Sequence, residues 1–224
     1  KLTGNGFDYS YGAGVKVGWL GEFMDDKLTV GLTYASKTYM TKFDKYSDLF
    51  AEQGDMDTPA VFGVGLGFKV TPKLTTVLDI TYTMYEDVKS IGNAPPTIGP
   101  GQIYPISQEA NATGKDDGLG FGWENQTVFK FGLAYDMSDK VVLRTGWNYG
   151  KSPIPSDNGA LLFNILAPAT TQNHFTLGAT YRTNPTTEWN FMYMYAFGYY
   201  QSGPTYIGST AEIGMRQNSL GVTY

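Results

Sequence analysis

The chain has 224 residues, a formal net charge of −5, one histidine and no cysteine. Charged residues make up only 17%, against roughly 25% in an ordinary soluble domain, while aromatics reach 15%, with 17 Tyr beside 28 Gly. Disulfides, thiolate catalysis and cysteine metal sites are excluded, the lack of a basic stripe argues against nucleic acid, and no apolar run approaches the about 18 residues of a transmembrane helix. The opening KLTGNGFDYS has no signal-peptide pattern, which reads as a processed chain or a fragment.

Period-two alternation, the mark of a β-strand, begins at 11–19, where Tyr11, Ala13, Val15, Val17 and Trp19 alternate with Gly12, Gly14, Lys16 and Gly18. A tight turn at 24–27 (MDDK) leads to a strand over 28–41, and a long connection over 42–58 carries a short helix near 43–51 (FDKYSDLFA). Residues 60–70 set Ala60, Phe62, Val64, Leu66, Phe68 and Val70 against a glycine-rich face; TPK at 71–73 turns the chain into a strand over 74–88. After a long connection over 89–122 come strands at 128–136 and 141–149, joined by SDK at 138–140. Another long connection, 150–173, precedes strands at 174–182 and 188–200, joined by TNPTT at 183–187. The last connection, 201–212, leads to a strand over 213–224.

Short and long connections alternate strictly along these nine expected strands. An all-β, antiparallel up-and-down meander then has every tight turn at one end and every long loop at the other, the pattern of a transmembrane β-barrel in an outer membrane. The strand faces agree. WNFMYMYAFGYY at 189–200 would put Trp189, Phe191, Tyr193, Tyr195, Phe197 and Tyr199 on one side. A soluble sandwich would have to pack such rings at crystal-like density and find partners for their hydroxyls. A membrane barrel turns them to lipid, with Tyr and Trp at the interfaces. The opposite face, full of glycine with scattered charges, becomes the lumen. Nine strands cannot close an all-antiparallel ring, and lipid does not tolerate open sheet edges, so further N-terminal strands are expected upstream or in another chain.

LGFGWENQTVFKFGLAYDMSDKVVLRTGWNYGKSPIPSDN at 119–158 resembles a signature stretch of the FadL family, outer-membrane transporters of long-chain fatty acids and hydrocarbons in Gram-negative bacteria. The shared features are a Trp opening a strand, G-L-x-Y-D, a tight turn, L-R-x-G, and S-P-x-P after the next strand. The Gly-rich strand pair at 4–37 and the FDKYSDLF connection are also similar to the family. The resemblance implies a fourteen-stranded barrel plugged by an N-terminal hatch, of which residues 1–224 would be the C-terminal nine strands. It also implies ligand entry from an apolar groove in the extracellular loops, an interior pocket, and sideways exit through a gap at a kinked strand. The terminal NSLGVTY resembles the family's last strand but lacks the usual terminal Phe.

Little supports catalysis, a cofactor or a metal. His174 stands alone, without the partners a triad or zinc site needs, and reads as a polar residue near a loop. Asp25–Asp26 and Asp116–Asp117 are adjacent carboxylates of turn and loop, and GVGLG at 63–67 lacks the following helix of a phosphate loop. The apolar loop segments are more informative. Ile98, Ile103, Tyr104, Leu161, Leu162, Phe163, Ile165 and Leu166 lie in connections that should face water, and they form either an apolar entrance groove or packing that closes the barrel mouth. Lys16, Lys130, Arg144 and Arg182 fall on the expected lumen face as candidate contacts for an acidic headgroup. Burying about a dozen methylenes at ~0.8 kcal/mol each outweighs one partly solvated ion pair of ~0–1 kcal/mol, so apolar lining sets affinity and a cation sets orientation. The expected function is passive uptake of hydrophobic small molecules, with the bilayer, the ligand, and the absent strands and hatch as partners. A structural or adhesive barrel, or a general diffusion porin, is the alternative.

Overall fold

The computed structural model describes residues 4–94, 113–157, 159–205 and 209–224. A two-residue ribbon pairs β1 (Gly12–Ala13) with β4 (Tyr39–Met40), and every other strand among the described residues belongs to one nine-stranded antiparallel sheet. Its strands are β2 (Lys16–Phe23), β3 (Leu28–Ala35), β5 (Val61–Thr71), β6 (Leu74–Thr83), β7 (Gln126–Asp136), β8 (Val141–Gly150), β9 (Asn173–Asn184), β10 (Thr187–Pro204) and β11 (Thr210–Thr223). Each pairs with its neighbour in the chain, in the order β11-β10-β9-β8-β7-β6-β5-β3-β2. Among the described residues the two outer strands, β2 and β11, do not pair with each other.

Register follows the side-chain pattern. On one face Leu32 opposes Val64, Val64 opposes Ile80, Ile80 opposes Phe129 and Phe129 opposes Tyr149. One residue along, Gly65, Asp79, Lys130, Asn148, His174 and Ala196 form a matching row on the other face. A slip of one residue would exchange the two faces, so these rows fix the pairing. Glycine is used where the chains crowd: a Cβ on Gly65 would lie 2.3 Å from an Asp79 carboxylate oxygen.

The apolar rings are not gathered into a core. Phe129 is 50% and Phe191 48% exposed, as expected of side chains that meet lipid. The largest buried apolar cluster instead lies at the long-loop end, where Leu161 and Ile154 of a connection pack on Ile213 of β11.

Four differences from the expected elements have physical causes. The expected strand 28–41 stops at Ala35, because the chain leaves the sheet there and Tyr39–Met40 pairs with the ribbon strand β1. The expected strand 74–88 stops at Thr83 and turns into a 3₁₀ segment, Tyr85–Asp87. The expected helix over 43–51 is a 3₁₀ turn at Asp44–Tyr46 followed by one turn at Ala51–Gly54, whose Glu52 and Gln53 are left-handed (φ 54° and 59°), so no helix can propagate.

The fourth difference concerns 189–200. Ala196 pairs with Gln217 but Tyr199 pairs with Met215, so β10 carries one extra residue, a β-bulge. Gly198 shares its side with Tyr200 and Arg216. Tyr199 therefore lies with Gln201 and Gly203 on the side covered by the loops. The aromatic face runs from Trp189 to Phe197, and Tyr199 leaves it.

Candidate functional site

The connection over 151–172 folds over the polar face of the sheet at its long-loop end. Its 3₁₀ stretch, Ala160–Leu166, starts behind Gly159, which is left-handed at φ 81°, a conformation that costs glycine little. Leu161 is fully buried against Ile154 and Ile213. Asn164, also fully buried, accepts a hydrogen bond from Trp123 Nε1 at 2.6 Å and donates through Nδ2 to Phe121 O (2.7 Å) and Ala160 O (2.9 Å). Phe163 lies 5.0 Å from Phe121, ring to ring. Gln201 of β10 donates to Ile154 O at 2.7 Å, and a Cβ at Gly203 would collide with Ser156 O at 1.8 Å. The loop is a roof fastened to β10 and β11.

The apolar loop residues thus divide. Leu161 is fully buried, Leu162 and Phe163 are half-buried, and Ile165 and Leu166 stay 58% and 73% exposed. Ile98, Ile103 and Tyr104 lie outside the described residues.

A second fastening joins the loops that follow β3 and β6. Lys37 Nζ is 3.1 Å from the buried Asp57 carboxylate and donates to Asp87 O at 2.9 Å; Asp57 Oδ1 also accepts from Met40 N at 2.6 Å. Neighbouring Asp55 is held above the usual carboxylate range by burial, then by the charge of Asp57 and a hydrogen bond with it, then by Glu52, with Lys37 opposing. Ser90 Oγ donates to Asp55 O and ties this loop to the one after β6.

Under the roof is a chamber of about 270 Å³, lined among others by Tyr85, Trp123, Gln126, Asn148, His174 and Met215. Tyr85 and Trp123 meet edge to face at 5.0 Å, the preferred arrangement for two rings. Burial raises the Tyr85 hydroxyl above its usual range. Asn148 is shared with a trough of about 680 Å³ further along the polar face, lined by Lys130, Arg144, Gly132, Gly146, Gly178 and Met192 among others. Roof, chamber and trough therefore follow one another toward the tight-turn end.

The four candidate cations do not converge. Lys16 is exposed on the outer strand β2. Lys130 sits opposite Asp79 in the strand pairing. Arg144 opposes Ala134, four residues along β7 from Lys130, or about 13 Å at strand rise. Arg182 lies 3.6 Å from Glu188 and donates to Asp139 O near the turns. Only Lys130 and Arg144 share the trough. Arg144 donates to Thr180 Oγ1 (2.5 Å), Thr180 donates to Asn190 Oδ1 (2.6 Å), and Asn190 donates to Glu188 Oε1 (3.1 Å). Among the described residues Arg144 pairs directly with no carboxylate.

Tyr85, Trp123, Gln126, Asn148 and Met215 are site residues that single-strand patterning misses. Asn148 and His174 were findable: carried across neighbouring strands, the register places them side by side on the lumen face.

Comparison with known proteins agrees with this geometry. No curated protein sequence matches the chain. The *Pseudomonas putida* toluene transporter TodX has a similar structure (TM-score 0.58, 14% identity, 95% of this chain and 48% of that one). So do the *Ralstonia pickettii* toluene transporter TbuX (0.52, 15%, 84% and 43%) and a *Pseudomonas aeruginosa* FadL homologue (0.56, 14%, 93% and 50%). The chain spans about half the length of these structures. At such identities the likeness shows the fold, that of a β-barrel. The profile of the family described as Outer membrane protein transport protein (OMPP1/FadL/TodX) matches residues 1–202. With its nine-stranded sheet, lipid-facing rings and roofed polar face, the chain belongs to that family, β-barrels of the Gram-negative outer membrane.

Proposed function

We propose that this chain forms the C-terminal nine strands of a passive channel that takes up long-chain fatty acids or aromatic hydrocarbons. The observation that carries this reading is the continuity of roofed chamber and trough through Asn148. Half-buried Leu162 and Phe163, with exposed Ile165 and Leu166 beside them, offer a first apolar contact. Arg144, bound to a hydroxyl and to no carboxylate among the described residues, suits the headgroup of an acid further in. The unpaired edges of β2 and β11 are what further strands would close, and we place those strands and a hatch upstream in the same protein.

Uptake of labelled fatty acid and of labelled toluene, compared between cells with and without the gene, tests the reading. At least one of the two should fall on deletion, and unchanged uptake of both would overturn it. Replacing Leu162→Asp and Phe163→Asp together should cut capture about tenfold or more, since roughly 1.4 kcal/mol of lost apolar contact suffices, while the barrel stays folded. Unaltered capture would remove the roof from the entry path.

A further inference from the structure

The chamber beneath the roof differs chemically from the trough it leads to. Among its lining residues are amides (Gln126, Asn148, Gln172), a hydroxyl (Thr171) and the imidazole of His174, but no lysine, arginine, aspartate or glutamate. Its apolar walls include the Tyr85–Trp123 ring pair and the thioether of Met215, groups that favour an aromatic guest. At about 270 Å³ it falls just below the roughly 300–1,000 Å³ of pockets for drug-sized ligands. It suits a single ring, not an extended acyl chain.

The polar groups around it are incompletely paired. His174 Nε2 is 3.4 Å from Thr171 Oγ1, a long contact, and His174 Nδ1 has no partner among the described residues. Nor do Thr170 Oγ1, between two lining residues, and Gln201 Oε1, on the strand that carries the roof. Of the described residues only Asp55 shows another such buried atom. Buried polar atoms normally find partners; of these three residues His174 is the one that lines the chamber, and its imidazole marks where a guest can supply a partner. The His174 side chain is half-buried and lines the chamber, with Nε2 toward Thr171.

The lining discriminates among guests. A carboxylate would be buried without a cation, which is strongly disfavoured. A bare hydrocarbon would leave His174 Nδ1 unpaired. A neutral ring bearing a hydroxyl satisfies both walls, because a hydroxyl donates and accepts and can meet either tautomer of the imidazole. We propose that this chamber is a selectivity site for neutral hydroxylated single-ring compounds, with phenol the simplest probe. The proposal rests on the uptake function above and names a substrate class for it.

The test compares uptake of labelled phenol, toluene and benzoate at pH 7, where a phenolic hydroxyl (pKa ≈ 10) is neutral. Cells carry the full-length protein, either wild type or with His174→Leu or His174→Gln. Wild type should favour phenol over both other probes. His174→Leu, which keeps an apolar side chain in place, should lower the phenol-to-toluene uptake ratio about tenfold, the loss of roughly one hydrogen bond. His174→Gln should restore much of the phenol uptake. The amount of folded protein recovered in the outer membrane serves as the folding control. An unaltered phenol-to-toluene ratio in His174→Leu, or a preference for benzoate in wild type, overturns the chamber assignment and leaves the uptake function standing. Failure of wild type to take up any of the three overturns both.

Discussion

Asp55 shows how a single side chain can tune the mouth of the barrel. Burial and the neighbouring Asp57 and Glu52 hold its pKa above the ordinary 3.8, and Lys37 only partly offsets them. A carboxyl with a raised folded pKa contributes stability that is full below the unfolded value and lost as pH rises through the folded one. The loop over 42–58 should therefore be tightest in mild acid and loosen toward neutral pH. Amide hydrogen exchange of that loop across this pH range checks it. Asp55→Asn should remove the pH dependence and protect the loop at neutral pH, and an unchanged profile would show that another group controls it. Nothing in the sequence marks Asp55 apart from Asp44, Asp48 or Asp57, because the raised pKa comes from contacts made only when the chain folds. Arg144 was legible as a lumen residue from alternation alone, whereas its hydrogen-bonded run through Thr180 and Asn190 to Glu188 needed the register of three strands.

Among the elements, the roof depends on one amide. Asn164 holds three groups at once, on Trp123, Phe121 and Ala160. Asn164→Leu would leave them unpaired, at about 1–3 kcal/mol for each buried group. The expected result is a roof that is cut faster by protease over 151–172, with no change in the sheet. Equal cleavage of variant and wild type would show that Leu161 packing alone fastens the loop. Strands were the most readable elements, since alternation at period two decides both their existence and their faces. The short helix expected from FDKYSDLF forms only as a 3₁₀ turn at Asp44–Tyr46, and left-handed Glu52 and Gln53 stop any continuation past it. The placement of Tyr199 failed because a single extra residue in β10 resets the alternation, and the sequence bears no local sign of it beyond the glycine at 198.

Taken whole, the molecule turns an ordinary soluble fold inside out: rings outside, glycine and charge within. That orientation predicts an asymmetry between neighbouring positions on one strand. Leu78 points outward and is 53% exposed, while Val77, next to it, faces the lumen side. Leu78→Arg should cost about 2–4 kcal/mol near the middle of the bilayer, and Val77→Arg distinctly less. Refolding titrations in lipid vesicles measure both, and equal penalties would contradict the assignment of faces. The barrel class and the direction of its faces could be read before any coordinates, because the alternation of turn lengths and the spacing of apolar residues report them directly. The chamber could not. It is assembled from residues far apart in the chain, Tyr85, Trp123, His174 and Met215 among them, which no motif links.

The bulge in β10 sets a waterline. From Trp189 to Phe197 the strand climbs about 27 Å, roughly 20 Å of height once tilted, and its rings wet the oil. One residue later the chain rolls over. Tyr199 swings inward, Arg216 stands outward beside Gly198, and the remainder of the strand is a mast carrying the roof. Which side chains of the upper strand face the roof is thus settled by a single inserted residue.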